Sequence, residues 1–148
     1  STLARSSMAT PDDIVAAARR YLGTPWRHQG RDARGLDCAG LVVVVGRELG
    51  LTDYDATGYG RHALGQAFVD HFRAAMDPVP VSAMRPGDVP AFADSVYPCH
   101  CGVISLRHGV FHLIHAHALR RRVIEEPYAG EWQLKIKFAF RFRGLNAA

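Results

Sequence analysis

Residues 36–46, Leu36-Asp37-Cys38-Ala39-Gly40-Leu41-Val42-Val43-Val44-Val45-Gly46, constrain the fold more than any other stretch. Turn-formers precede it, among them Gly30, Asp32 and Gly35. From Leu41 to Val45 the chain is uninterrupted hydrocarbon that has to be buried. The valines alone favour a strand, but the flanks and the length favour a buried helix that starts at Cys38 and stops at Gly50. At a helix N-terminus the unpaired N–H groups and the dipole stabilise a thiolate, which turns an ordinary thiol into a nucleophile. A buried structural cysteine is the ordinary alternative beside so many valines. This stretch leaves both readings open.

A chain of 148 residues is long enough for one domain with a real core, expected over residues 8–148. Residues 1–7 are expected to be a cloning remnant or a disordered tail ahead of Met8. They carry no apolar signal core, so synthesis in a bacterial cytoplasm without a signal peptide is expected. No apolar run is long enough to span a bilayer as a helix. The net charge of +4 suits an anionic partner such as a bacterial wall, a nucleic acid or a membrane surface. The cysteines, Cys38, Cys99 and Cys101, do not make a disulfide framework.

The first helix is announced by Thr10-Pro11-Asp12-Asp13: an N-cap, a proline at the first position and acids in the first turn. Gly23-Thr24-Pro25 stops it. A polar loop over 26–35 leads to Cys38. Residues 51–60 are rich in turn-formers. A third helix is predicted from about Arg61 to Met76 and ended by Asp77-Pro78. Beyond that the chain reads as β. A short strand over 89–93 contains Pro90, which suits an edge or a strand start. Residues 101–106 and 110–116 form a hairpin around Arg107-His108-Gly109. Residues 120–125 make a further strand, closed by Pro127. The last, over 135–143, alternates Ile136, Phe138, Phe140 and Phe142 with Lys135, Lys137, Arg141 and Arg143, which predicts a half-buried strand with a basic solvent face. Helices first and strands second make an α+β domain, with helices packed on an antiparallel sheet of about five to six strands.

A cysteine nucleophile needs a base, and the base needs an orienting partner. His100 precedes an apolar strand, and His115 lies on the adjacent strand of the hairpin, so the two rings can stand side by side. His108 falls in the turn, and His112 points to the face opposite His115. His117 shares the face of His115 but sits closer to solvent. A histidine among strand hydrophobes is more often a satisfied core residue than a catalyst. Zinc is the rival chemistry, because Cys99, Cys101, His112, His115 and His117 are all plausible ligand types. Cys-x-Cys entering a strand is not a knuckle, however, and no metal or other cofactor is expected. The basic runs at 120–122 and 135–143 come without a stacking-aromatic motif or a recognition helix, so no nucleic-acid partner is expected.

Taken together, Tyr21-Leu22-Gly23-Thr24-Pro25-Trp26-Arg27, Gly35-Leu36-Asp37-Cys38-Ala39-Gly40-Leu41-Val42, Arg85-Pro86-Gly87-Asp88-Val89, His100-Cys101-Gly102-Val103-Ile104 and Ile114-His115-Ala116 resemble the ordered blocks of NlpC-type cysteine peptidases of bacterial cell walls. The Thr24-Pro25-Trp26-Arg27-His28-Gln29-Gly30 and Leu36-Asp37-Cys38-Ala39-Gly40 versions look most like the branch found in phage tails and gene-transfer particles. The resemblance implies a papain-like α+β fold and cleavage of the D-γ-glutamyl–diaminopimelate amide in peptidoglycan stem peptides. It also implies Cys38 as nucleophile, His100 as general base and acid, and His115 as its orienting partner. By the same resemblance Trp26 stands at a position tied to the oxyanion, and Asp37 either contacts the substrate or shapes the turn, the turn being favoured. Trp26 replaces the tyrosine of many members, His28-Gln29 replaces an aromatic-Gly pair, Ala39 replaces the usual serine, and three extra residues sit between the His100 and His115 blocks. The expected partners are the stem peptide and phage-tail or gene-transfer-particle proteins, and the expected place of action is the cell wall. The alternatives are a non-enzymatic tail-tip or wall-binding module on the same fold, and a related amidase or acyltransferase using the same triad.

Overall fold

Helix α1, Pro11–Arg19, begins where the sequence caps it. The Thr10 side chain accepts from the Asp13 N–H, and the Asp13 side chain accepts in return from the Thr10 N–H. The computed structural model describes residues 8–55, 65–93 and 98–146. Two short strands, β1 (Arg31–Asp32) and β2 (Gly35–Leu36), lead into helix α2, Cys38–Glu48. Gly50 lies just past it at φ +67°, the left-handed conformation that stops a helix at little cost to glycine. Helix α3 spans Gly65–Ala75. The predicted start near Arg61, and part of the turn-rich stretch over 51–60, lie outside the described residues.

The remaining elements are β3 (Met76–Val79), β4 (Val89–Ala93), β5 (Pro98–Cys101), β6 (Val103–Arg107), β7 (Val110–His117), β8 (Arg122–Pro127), helix α4 (Glu131–Lys135) and β9 (Ile136–Phe142). The α+β class with antiparallel pairing is the one the sequence predicts. Among the described residues, though, the strands form three sheets: β1-β2, β3-β9-β4-β5 and β6-β7-β8. Gly102 divides what reads as one strand over 101–106. A Cβ there would lie 2.6 Å from the Ile114 carbonyl oxygen and 2.9 Å from the His115 Cβ, so only glycine lets β7 come this close.

Three local expectations are corrected. Asp77 and Pro78 do not merely end α3: they belong to β3, an edge strand on which a residue without an N–H is tolerated. Strand β4 is interior, between β9 and β5, so of the two settings expected for Pro90 the edge is excluded and the strand start is what the structure shows. Its Pro90 is accommodated because the ladder to β5 begins one residue later, at Ala91 opposite Cys101. The face of β9 expected to be basic and solvated keeps Lys137 exposed, but its arginines are engaged in ion pairs. Arg141 forks onto Asp88, whose side chain is 1% exposed, with both bonds at 2.8 Å, and Arg143 reaches Asp77 at 2.9 Å.

Each face of β6-β7-β8 packs on a different cluster. Val103, Ile114, Ala116 and Val123 point towards the helices, against a core that includes Ile14, Ala17, Leu41 and Val45. Ile104 and Leu113 point the other way, onto Phe92 and Trp132. This alternation aims His115 away from α1 and α2, to the side of Phe92 and Trp132.

Glu125 ties α1 to the hairpin through Arg19, Arg107 and Ser105. Burial alone would raise its carboxyl pKa, but the hydrogen bonds from Arg19, Arg107 and Ser105 outweigh it and bring the value down to about 2 from an ordinary 4.5. A carboxylate depressed on folding contributes stability above its unfolded pKa and loses it as pH falls through the folded one. The urea midpoint should therefore fall between about pH 4.5 and about pH 2 in the parent, and the fall should be shallower in Glu125→Gln. Equal pH slopes for the two proteins would show that this cluster does not anchor the fold.

Candidate active site

Cys38 is the first residue of α2 and is half-buried. Asp37 puts it there. One carboxylate oxygen of Asp37 accepts the Gly40 N–H at 2.8 Å as an N-cap, and the other accepts the Gln29 N–H at 2.7 Å. Arg31 closes on the same carboxylate at 3.1 Å and on Asp55 at 2.9 Å. Asp37 is 4% exposed, so its carboxylate is committed to the turn and the helix cap. Gly40 completes the docking, because a Cβ there would sit 2.1 Å from the Gly30 carbonyl oxygen. The first N–H groups of α2, at Cys38 and Ala39, precede any intrahelical i→i−4 bond, the kind of donor an oxyanion can use.

The histidines converge from two sheets. His100 on β5 stands opposite Phe92 on β4, and its Nε2 lies 2.7 Å from Nδ1 of His115 on β7. His115 is 0% exposed, and its Nε2 lies 2.7 Å from Glu126 on β8. His117 is ring-packed at 5.1 Å from His115 and 6.1 Å from His100, and its Nδ1 accepts the Arg120 N–H at 3.3 Å. His112 turns to its own strand, with Nδ1 3.0 Å from the Val110 carbonyl oxygen. Of the sequence candidates, then, His115 contacts His100 by hydrogen bond, while His117 lies alongside as a ring neighbour.

Trp26 sits on the loop that frames the site. It is half-buried against the helix-side core, its backbone N–H donates to the Arg121 carbonyl at 2.9 Å, and its backbone bridges to Leu36. The neighbouring bridge from Pro25 to Arg122 ties the same loop to the start of β8. This brings the 120–122 basic run to the rim of the site.

Three residues that sequence reasoning passed over belong to this arrangement. Trp132, from the unforeseen helix α4, packs its ring 4.9 Å from His115, 5.5 Å from His100 and 5.8 Å from His117. A lone tryptophan two residues after Gly130 carries no periodic signal. Glu126 was foreseeable, since extending the strand alternation of β8 puts it on the face of His115. Cys101 alternates with His100, as the strand pattern requires, and so faces α2 and the Cys38 thiol.

Electrostatics separate the two thiols. The hydrogen bond that Cys101 donates lowers the Cys38 pKa most. Burial pushes it up, and the hydrogen bond and charge of His100 pull it down again, leaving it well below the ordinary 9.0. Burial drives Cys101 the other way, well above its ordinary value, so it stays a thiol and can donate. His115 is pushed down to about 2, chiefly by burial and then by the charges of His100, His117 and Arg120, which favours its neutral ring. A thiolate at a helix N-terminus, an adjacent imidazole and a neutral second imidazole behind it can carry out acyl transfer. Among the described residues, no three His, Cys, Asp or Glu side chains are grouped as a metal site requires. The side chain of Cys99 lies outside the described residues.

Residues 23–138 match the model of the NlpC/P60 family. Solved structures with the same fold include the NlpC/p60 domain of the peptidoglycan hydrolase SagA, at 22% identity and a TM-score of 0.66, covering 90% of this chain and 100% of that one. An NlpC/P60 family protein from Bacillus cereus aligns at 21% identity and a TM-score of 0.70, covering 91% of this chain but only 41% of that longer one. An N-acetylmuramoyl-L-alanine amidase from Bacteroides uniformis aligns at 12% identity and a TM-score of 0.64, covering 90% and 98%. At these identities the likeness establishes the papain-like α+β fold. Comparison with curated proteins found no match.

Iodoacetamide should label Cys38 faster than Cys101 near neutral pH, because only Cys38 is held as a thiolate. Cys101→Val removes the donated S–H with little change in bulk and should move the pH midpoint of Cys38 alkylation upward. A midpoint that stays put or falls would mean that Cys101 does not stabilise the thiolate.

Proposed function

Since this chain belongs to the NlpC/P60 family, we propose that it is a peptidoglycan hydrolase acting as a cysteine peptidase, with Cys38 as nucleophile, His100 as base and then acid, and His115 as the group that orients His100. The observation that carries this reading is the convergence of Cys38 at the α2 start with the 2.7 Å His100–His115 pair. In the proposed mechanism the Cys38 thiolate attacks a stem-peptide amide, and the oxyanion is held by the first N–H groups of α2. His100 protonates the leaving amine. It then takes a proton from the water that releases the acyl group. Trp26 is proposed to line the substrate side, while Asp37 acts through the turn that sets Cys38.

The bond proposed is the amide between D-γ-glutamate and diaminopimelate, a reading that rests on the sequence resemblance. The protein is proposed to be made in the cytoplasm and to act at the wall as part of a phage-like tail or gene-transfer particle. The versions of residues 24–30 and 36–40 support this context. The amidase reading has its own support in the Bacteroides uniformis structure, which shares the fold over nearly its whole length.

Incubation with purified peptidoglycan, followed by mass spectrometry of the new termini, separates the readings. The peptidase should release diaminopimelate with a free amine and D-glutamate with a free γ-carboxyl. New lactyl carboxyls with free L-alanine amines would show an amidase, and no new termini would remove the hydrolase reading.

Turnover on a soluble muropeptide should grade the histidines. His100→Ala should be nearly inactive. His115→Ala should lose roughly ten- to a thousandfold, an orienting-group loss. His112→Ala and His117→Ala should stay within a few-fold of the parent. If His117→Ala loses far more than His115→Ala while both remain folded, the orienting role passes to His117.

A further inference from the structure

We infer that Glu126 is a positioning residue that acts through His115: its carboxylate fixes the His115 tautomer and so dictates which nitrogen of His100 is free to serve Cys38. The inference rests on the proposed roles of Cys38 and His100 and adds a fourth member behind them.

Two hydrogen bonds and one burial carry the argument. His115 Nε2 lies 2.7 Å from a Glu126 carboxylate oxygen, and His115 Nδ1 lies 2.7 Å from His100 Nε2. His115 is 0% exposed, so it has no water to satisfy either nitrogen. As a carboxylate, Glu126 can only accept, which places the single proton of the neutral His115 ring on Nε2. His115 Nδ1 is then an acceptor, and His100 Nε2 must donate to it. This leaves the unprotonated Nδ1 of His100 for the Cys38 thiol. The Cys38 proton moves to that nitrogen and gives a thiolate beside an imidazolium. No proton needs to travel further, and His115 stays neutral throughout.

The alternative tautomer shows what Glu126 prevents. With the proton on His115 Nδ1, that nitrogen would donate to His100 Nε2, and the neutral His100 would carry its proton on Nδ1. That ring would present an N–H to Cys38 and could not accept the thiol proton. Strand register places Glu126 for this task. It pairs with Leu113 on β7, one diagonal step from His115 on the same face. The other titratable or charged groups around His115 are His100 on β5, His117 on its own strand and Arg120 in the following turn. None of them supplies an acceptor to His115 Nε2. From α4, the ring of Trp132 closes the remaining side at 4.9 Å.

The test reads tautomers directly, with no wall substrate. Long-range ¹H–¹⁵N correlation spectra of ¹⁵N-histidine-labelled protein should show His115 as a neutral ring protonated on Nε2. Glu126→Leu should lose that single tautomer and slow iodoacetamide alkylation of Cys38 by about tenfold or more, with a displaced pH profile, as expected when a partner that orients an imidazole is removed. Glu126→Gln can still accept through its carbonyl oxygen and should keep the tautomer, with alkylation within a few-fold of the parent. A parent His115 protonated on Nδ1 would overturn the inference. So would a folded Glu126→Leu with unchanged tautomer and alkylation. If Glu126→Leu does not fold, the parent spectrum and Glu126→Gln decide. Should the tautomer results hold while peptidoglycan is left uncut, the proposed function fails and the role of Glu126 stands.

Discussion

A fully buried imidazole must find partners for both of its nitrogens, and His115 finds one on each side: His100 from β5 and Glu126 from β8. That requirement links strands from two different sheets at one point. It depends on Gly102, whose missing side chain lets β7 approach the junction of β5 and β6. It depends also on Trp132, whose ring covers the pair and shuts out water that would compete for the same nitrogens. With water excluded, each of these hydrogen bonds is stronger than it would be at the surface, and the direction of the pair is fixed.

The thiol is delivered from the opposite side by an independent device. Asp37 caps α2, holds the Gln29 N–H and receives Arg31, so the loop over 27–36 and the first turn of the helix are one rigid unit. The long valine run behind Cys38 anchors that unit in the helix-side core. Cys38 therefore meets both products of strand alternation on β5: the Cys101 thiol on the helix side and the His100 ring on the other. The two act in the same direction on its ionisation. A neutral His115 suits this arrangement, because a second positive charge there would compete with His100 for the proton.

Much of this was legible in the sequence, because it rests on local signals. Thr10-Pro11-Asp12-Asp13, the turn-formers before Cys38, Gly50 and the alternating segments each act within a few residues, and each predicted its element. The sequence set His100 beside His115 on one hairpin; the two do meet, but across two sheets, from β5 and β7. What was not legible depends on long-range geometry. Nothing local marks β4 as an interior strand. Its Pro90 argued for an edge or a strand start, and the register shows the strand start, one residue before the ladder to β5 begins. Arg141 looked like a solvated charge until Asp88, far away in sequence, was seen to occupy it. Helix α4 is a single short turn with no periodic signal, yet it supplies the ring that roofs the histidines.

The central claim is that these elements make Cys38 a nucleophile that carries an acyl group in transit. The most direct measurement is an acid quench of the protein during turnover of a soluble muropeptide, followed by mapping of the peptide that contains Cys38. The account predicts a thioester on Cys38 whose added mass is that of the fragment ending in the D-glutamate γ-carbonyl, and no adduct on Cys101. Steady cleavage with Cys38 unmodified at every quench time, and equally in Cys38→Ser, would contradict it.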